Sequence, residues 1–201
     1  MKKLLALTLL IGLFAAQAQA LETIKLPEPQ IDKSVTLYDA LKKRKSVRSY
    51  EQKELDLQTL SNILWVAYGV NRDDGRRTIP TARNAKDLSV YVAKKDGVWL
   101  YNADTNELKQ MSADNIMYTF GTQPFMKEVP AVLVYAGSDK DHNFSVMHAG
   151  SAYQNVELYA GTNNLGCVVR AMFDKDAFAK AVQLPAGQRI IVSQAIGYEK
   201  E

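Results

Sequence analysis

An unbroken apolar segment, Ala131–Ala136, is the feature that most constrains how this chain folds. Its valines favour a strand, and the lack of polar–apolar alternation indicates a strand that is buried on both faces. A long helix with several small residues is predicted over Phe144–Asn164, and a last strand over Arg189–Gly197. Because a doubly buried strand needs cover on each side, these elements predict a mixed α+β domain with about four or five main strands and central helices.

Further elements are predicted from periodicity and capping residues. Leu21–Ser34 is expected to be an extended arm, and Lys95-Asp96-Gly97 a hairpin turn. Helices are predicted at Thr36–Lys43, at Leu57–Tyr68, at Ser112–Gly121 and from the cap residue Asp174 to Leu184. The second of these has Asp56 as its cap, and its buried stripe is formed by Leu57, Leu60, Ile63, Leu64 and Ala67. The other strands are predicted at Leu88–Lys94, Val98–Asn102 and Cys167–Met172.

The N-terminal residues have the pattern of a secretory signal peptide. Lys2 and Lys3 precede an apolar run from residue 4 to residue 16, and Ala18-Gln19-Ala20 is a small-x-small cleavage signal. We therefore expect residues 1–20 to be removed and residues 21–201 to form a single domain. The mature protein is then expected to be periplasmic or secreted by a bacterium, without a membrane anchor.

Charge and cysteine content exclude several classes of function. The formal net charge of +3 falls to +1 without Lys2 and Lys3, which argues against a nucleic-acid partner. Cys167 is the single cysteine, so no intrachain disulfide can form, and its apolar neighbours predict a buried thiol. His148 is expected to be a packed or capping residue, and no metal site is predicted.

The short basic segment Arg44-Lys45-Ser46-Val47-Arg48 is the strongest candidate for ligand binding. In an extended conformation Arg44, Ser46 and Arg48 would point to one side. Two guanidinium groups beside a hydroxyl suit a phosphate monoester, since arginine donates paired, charge-assisted hydrogen bonds. The alternative is a solvated basic turn at the C-terminus of a helix, where cations are also favourable.

Four segments, in order along the chain, resemble signatures of the FMN-dependent nitroreductase family. They also resemble its branch of thiazoline/oxazoline dehydrogenases. The segments are Arg44-x-Ser46-x-Arg48, Pro80-Thr81-Ala82-Arg83-Asn84, Val129-Pro130-Ala131-Val132-Leu133-Val134 and residues 164–174 (NLGCVVRAMFD). Within them Thr81, Arg83, Arg170 and Ala171 depart from the usual family residues. The resemblance implies a nitroreductase-like fold with a mainly antiparallel sheet, as an intertwined homodimer that binds each flavin at the subunit interface.

The same resemblance assigns the candidate site residues for FMN. Arg44, Ser46 and Arg48 would hold the phosphate and ribityl chain, while Lys45 either adds charge or faces solvent. Pro80, Thr81 and Ala82 would lie beside the ring, Asn84 would bind its pyrimidine edge, and the backbone N–H groups of Arg170 and Ala171 would reach the O4/N5 edge. Tyr118, Phe120 and Phe125 either cover the open face of the flavin or belong to the core.

The function implied is that of an exported FMN-dependent oxidoreductase. It would pass electrons from an unidentified donor to a small-molecule acceptor, such as a nitroaromatic or a quinone, by a ping-pong cycle at flavin N5 without a catalytic triad. Two alternatives remain: a flavin- or small-ligand-binding protein of the same fold without turnover, and a structural dimer without a cofactor.

Overall fold

The computed structural model describes residues 21–200. The predicted signal peptide lies outside these residues. Within them, no helix has both the length and the apolarity needed to cross a membrane. The described residues include one seven-stranded sheet with helices on both faces, which confirms the predicted α+β class.

All neighbouring strands of the sheet pair antiparallel, in the order β1-β4-β3-β2-β5-β7-β6. The strands are Thr23–Lys25 (β1), Ser89–Lys94 (β2), Gly97–Asn102 (β3), Glu107–Ser112 (β4), Ala131–Ser138 (β5), Leu165–Arg170 (β6) and Gln188–Tyr198 (β7). The predicted number of strands was too low, because β1 lies inside the predicted arm and β4 between a predicted turn and a predicted helix. Both strands lie at one edge of the sheet, where strands are less buried and their apolar pattern in the sequence is therefore weaker.

The α-helices are Leu37–Lys43 (α1), Leu57–Tyr68 (α2), His142–Ala160 (α3) and Lys175–Ala181 (α4). The bounds of α2 were predicted correctly, and the Asp56 carboxylate caps it by accepting from the Thr59 N–H at 2.7 Å. Leu60, Ile63, Leu64 and Ala67 are buried as predicted, but Leu57 is 46% exposed. The first turn of α2 therefore projects beyond the core.

Three helix predictions were wrong in type or in extent, the smallest error being that α4 ends at Ala181 rather than Leu184. In the segment predicted as a helix over 112–121, Ser112 ends β4, and the rest contains only a short 3₁₀ turn, Met117–Phe120. Within this turn, Thr119 donates to the Ile116 carbonyl through both its N–H and its hydroxyl. Gly121, with φ +93°, ends that turn. Helix α3 stops at Ala160 rather than Asn164, because the side chains of Thr162 and Asn163 donate to the Tyr159 carbonyl and satisfy the helix end.

Strand β5 lies in the middle of the sheet and is buried on both faces, as predicted. Leu133 and Tyr135 face α2 and α3, whereas Val132 and Val134 face α4 and the segment 116–129. The sheet is therefore a rigid platform. The ends of α3 and the edge strand β6 position the segments that the sequence singled out.

Candidate active site

The basic segment runs extended along the edge strand β6. The Val47 N–H donates to the Cys167 carbonyl at 2.9 Å, and the Val47 side chain is buried against Gly166. Because side chains alternate along an extended chain, Ser46 and Arg48 point outward, and both are exposed. No hydrogen bond or ion pair among residues 21–200 uses the Ser46 hydroxyl or the Arg48 guanidinium, so both groups are available to a ligand.

A pair of glycines makes this close approach feasible. Gly166 and Gly197 lie directly opposite each other on β6 and β7. A Cβ on Gly166 would lie 2.5 Å from Val47 Cγ1, and one on Gly197 would lie 3.2 Å from Tyr50 Cδ1. Tyr50 is fully buried over this glycine surface, and its hydroxyl donates to the Val47 carbonyl at 2.7 Å. Val47 and Tyr50 thus fix the backbone on either side of Arg48.

The other two cations of the segment have protein partners. Arg44 Nη1 lies 2.9 Å from Glu157 Oε2, a buried carboxylate on α3 that needs a compensating charge. Lys45 Nζ lies 2.6 Å from Glu199 Oε1, and its side chain is mostly exposed. Arg44 therefore has a structural role in addition to the predicted phosphate contact, and its remaining N–H groups are all that it can offer to a ligand.

Arg170 is buried at the end of β6, and its side chain points into the core rather than into solvent. It donates to the Phe120 carbonyl at 2.7 Å and through two nitrogens to Gln123 Oε1, at 2.8 and 3.1 Å. Burial lowers the pKa of its guanidinium, and the positive charge of nearby Arg48 lowers it further. Arg170 thus anchors residues 120–123, and its backbone pairs with Ser193 on β7, whose hydroxyl donates to the Arg170 carbonyl at 2.8 Å. Its neighbour Ala171 is exposed.

The three candidate aromatic residues differ in environment. Phe120 is fully buried and packs in the core, so of its two predicted roles, covering the flavin or packing in the core, it has the second. Phe125 is half-buried, with its ring centroid 6.2 Å from that of Tyr50. Tyr118 is 77% exposed and is the aromatic most open to a ligand.

The segment Pro80–Asn84 is held against the first half of α3 by a buried histidine. His148 Nε2 accepts a hydrogen bond from the Ala82 N–H at 2.8 Å, and His148 Nδ1 lies 2.7 Å from Asp87 Oδ1. Since Nε2 must carry a lone pair to accept, Nδ1 carries the proton and donates it to Asp87. The Ser145 hydroxyl donates to the other Asp87 oxygen at 2.5 Å. The sequence indicated a packed His148, but no motif pointed to its partners.

Backbone conformation in this segment is unusual. Arg83 and Asn84 both have φ +54°, and Lys86 has φ +49°, so three non-glycine residues within four positions are left-handed. Such conformations cost free energy and are found preferentially at functional sites. The Asn84 side chain is exposed and forms no hydrogen bond with residues 21–200, which leaves its amide free to donate and accept.

One protomer brings only some of the predicted residues together. Ser46, Arg48, Arg170 and Ala171 gather at β6, on the side of the molecule where Glu157 holds Arg44. Pro80, Thr81, Ala82 and Asn84 lie where His148 holds Ala82. Because His148 and Glu157 are nine residues apart on α3, the two groups attach to that helix about 14 Å apart. No cluster of three or more His, Cys, Asp or Glu residues that could hold a metal ion is found within 21–200.

Comparisons with known proteins agree with this architecture. Residues 41–198 match the family model described as the nitroreductase family. A Methanocaldococcus jannaschii protein, provisionally named a nitroreductase, is 30% identical over 175 residues, which cover 77% of this chain and 88% of that protein. A crystal structure from Ralstonia eutropha JMP134, also provisionally assigned as a nitroreductase, is 32% identical with a TM-score of 0.82, covering 89% of this chain and 90% of that one.

A more distant structure shares the fold. A Clostridium difficile R20291 protein described as an FMN-dependent nitroreductase is 18% identical with a TM-score of 0.57, over 82% of this chain and 88% of its own. The family match spans the basic segment, the His148-supported segment and the end of β6 together. The chain therefore belongs to the nitroreductase family and is an oxidoreductase.

Proposed function

We propose that this protein is an exported, FMN-dependent oxidoreductase that passes electrons from a donor to a small conjugated acceptor, such as a nitroaromatic or a quinone, in a ping-pong cycle. The observation that carries the proposal is the pair of exposed groups, Ser46 and Arg48, that no residue within 21–200 binds and that buried Val47 holds beside the edge strand β6. The described FMN dependence of the Clostridium difficile protein, which shares the fold, is consistent with it.

The residues present fit the phosphate of FMN. A phosphate monoester needs cationic donors, and Arg48 and Ser46 supply a guanidinium and a hydroxyl that no other residue within 21–200 binds. Arg44 can contribute its remaining N–H groups while it still compensates Glu157. Lys45 would contribute only a distant charge, because it pairs with Glu199.

The residues near the ring fit a polar heterocycle. The free amide of Asn84 can both donate to and accept from the pyrimidine edge. Thr81, Ala82 and Pro80 supply a wall whose position is fixed by the bond from Ala82 N–H to His148. The backbone N–H of the exposed Ala171, which follows β6, would serve the opposite edge. When bound, FMN accepts and donates the electrons, and the protein binds, orients and tunes it.

A second copy of the chain would complete the site. Within a protomer the basic segment and Pro80–Asn84 attach to α3 about 14 Å apart, at Glu157 and at His148. Apolar side chains are exposed on α1 and α3, at Leu37, Tyr38, Leu41, Val146 and Met147. Such a surface favours a protein interface, so we propose a homodimer with α3 in the contact. Light scattering on the mature chain tests this, and a monomer at micromolar concentration would contradict it.

Export is proposed from the predicted signal peptide of residues 1–20. The donor outside the cytoplasm is then not assumed to be a nicotinamide cofactor. Cell fractionation tests the location: the account expects the processed protein, beginning at residue 21, in the periplasm or the medium.

The function itself is tested by an anaerobic cycle on residues 21–201 refolded with FMN. The bound flavin is reduced with one equivalent of dithionite, and a nitroaromatic or a quinone is then added. We expect the oxidised spectrum to return with acceptor consumed in stoichiometric amount. Bound flavin that is reduced but not reoxidised by either acceptor would instead favour a binding protein without turnover.

A further inference from the structure

A basic pocket is lined in part by the Pro80–Asn84 segment, and the arginines on its other side have no role in the function proposed above. Its volume is about 310 Å³, and it is lined by Arg72, Arg76, Arg77, Ile79, Pro80, Thr81 and Asn84. Three of these residues are arginines and none carries a carboxylate. A concave site lined by charge of one sign concentrates ligands of the opposite sign.

The loop that carries the arginines has a closed, hydrogen-bonded conformation. Val70 and Arg77 form an antiparallel bridge. Inside it, the Asn71 N–H donates to the Arg76 carbonyl at 3.1 Å and the Gly75 N–H to the Arg72 carbonyl at 2.9 Å. Gly75 has φ +72°, which its lack of a side chain allows at little cost. Arg72 and Arg76 therefore project from a turn whose backbone is ordered without a ligand.

The charge of the pocket is only partly compensated. The buried Arg77 donates to both Asp104 oxygens, at 2.8 and 3.0 Å, so its charge is neutralised and its position fixed. Arg76 Nε lies 3.3 Å from Asp74 Oδ2, but both side chains are more than half exposed, so this pair is weak. Arg72 takes part in no ion pair among the described residues. Arg72 and Arg76 are thus the groups that can bind an added anion.

A fourth cation lies against the same turn. A Cβ placed on Gly75 would be 3.4 Å from Lys86 Nζ. Lys86 also helps to lower the pKa of the Asp104 carboxyl, after the larger effect of Arg77. The acidic residues of the turn, Asp73 and Asp74, do not line the pocket. The local balance of charge is therefore positive where the pocket opens beside Thr81 and Asn84.

We propose that this pocket binds the anionic substituent, a carboxylate in the first instance, of the small-molecule acceptor. The inference rests on the proposed function, since it takes Pro80–Asn84 to border the flavin ring. A conjugated acid could then place its acidic group between Arg72 and Arg76 while its reducible group lies toward the ring. Paired guanidinium donors match the two oxygens of a carboxylate.

The test compares two compounds of nearly the same shape, 4-nitrobenzoate and the uncharged 4-nitrobenzamide. Calorimetry on the mature protein, with and without FMN, gives the affinity for each, and anaerobic reoxidation of the reduced protein gives the rate with each. The variant is Arg72→Gln/Arg76→Gln, and the control is Arg189→Gln, an exposed arginine 3.8 Å from Asp139. We expect the double variant to lower the preference for 4-nitrobenzoate about tenfold and the control to leave it unchanged.

The outcomes separate this inference from the proposed function. Equal affinity of the unaltered protein for the two compounds would overturn the pocket assignment. A double variant that weakens FMN as strongly as it weakens 4-nitrobenzoate would also overturn it, because the pocket would then belong to the cofactor. Failure to retain FMN, or reoxidation neither by these compounds nor by a quinone, would instead contradict the proposed function, while calorimetry on the flavin-free protein would still decide the pocket.

Discussion

His148 Nε2 accepts a hydrogen bond from the backbone N–H of Ala82 at 2.8 Å, and this contact ties the Pro80–Asn84 segment to α3. We expect His148→Leu to lower the free energy of unfolding by roughly 1–3 kcal/mol for each buried polar group left unpaired. His148→Gln, which keeps an acceptor near Nε2, should cost less. Denaturant unfolding measures the stability. Flavin titration should show the weakest binding for His148→Leu and an intermediate affinity for His148→Gln.

The other histidine provides the control for that prediction. Among residues 21–200, the buried Nδ1 atom of His142 has no hydrogen-bond partner. His142→Leu therefore removes no hydrogen bond at that atom, and it should lower neither stability nor flavin affinity. If His148→Leu behaved like His142→Leu, the contact with Ala82 would not be what holds the segment.

The glycine pair beneath Val47 gives a second prediction. Gly166→Ala would place a methyl group 2.5 Å from Val47 Cγ1, and overpacking of this kind costs about 1–3 kcal/mol. The substitution should also displace Arg48 and weaken flavin binding. Val47→Ala in the same chain should recover part of the loss, as measured by denaturant unfolding and titration.

A matched glycine lies on α3. At Gly150 an added Cβ meets nothing closer than 3.7 Å, and the residue is helical. Gly150→Ala should therefore stabilise the protein by about 0.5–1 kcal/mol. Equal effects of Gly150→Ala and Gly166→Ala would contradict the packing account.

The single cysteine should be chemically inert in the folded protein. Cys167 is buried on β6, and burial, with a smaller effect of the Glu157 charge, raises the pKa of its thiol to about 12. Roughly one molecule in ten thousand carries the reactive thiolate at pH 8. Iodoacetamide should leave the native protein unlabelled by mass spectrometry and should label it fully in guanidinium chloride. Rapid labelling of the native protein would show that β6 opens easily.

The cap of α2 should make stability depend on pH in acid. Hydrogen bonding from the Thr59 N–H is the main cause that lowers the pKa of the Asp56 carboxyl. A carboxyl whose pKa is lower in the folded than in the unfolded state contributes stability above its unfolded value, near 4, and loses it as the pH falls through its folded value. Asp56→Asn keeps a good cap but cannot titrate.

Unfolding of both proteins between pH 2 and pH 7 measures this contribution. The unaltered protein should be the more stable near neutrality, and the two curves should converge below about pH 4. The difference should be small, since Asp56 is exposed. A difference in the free energy of unfolding between the two proteins that grows as the pH falls would contradict this prediction.

Elements with strong local signals could be predicted from the sequence. Helix α2 has a cap at Asp56, a regular apolar period and a terminal Gly69, and its bounds agree with the structure. Strand β5 is apolar throughout and is buried as expected. By contrast, Ile116, Met117 and Phe120 mimic a helical period, but Thr119 and Gly121 restrict the segment to a short turn, and the Phe120 carbonyl is bound by the distant Arg170.

The candidate site was predictable in its segments but not in its contacts. The basic segment and Pro80–Asn84 carry recognisable residues, whereas the partner of Arg44, a glutamate 113 positions away, carries no local signal. The same holds for His148 and Ala82, which are 66 positions apart. Such long-range pairs decide which arginines can bind a ligand. Arg44 and Arg170 are largely engaged, whereas Arg48 has no partner in the described part of the chain.

The most direct test of the central claim is the amount of FMN that residues 21–201 retain through gel filtration, compared between the unaltered protein, Arg48→Gln and the control Arg189→Gln. The account predicts about one flavin per chain for the unaltered protein and the control, and a loss of affinity of about tenfold or more for Arg48→Gln. A protein that retains no flavin, or an Arg48→Gln variant that retains it as well as the control does, would contradict the account.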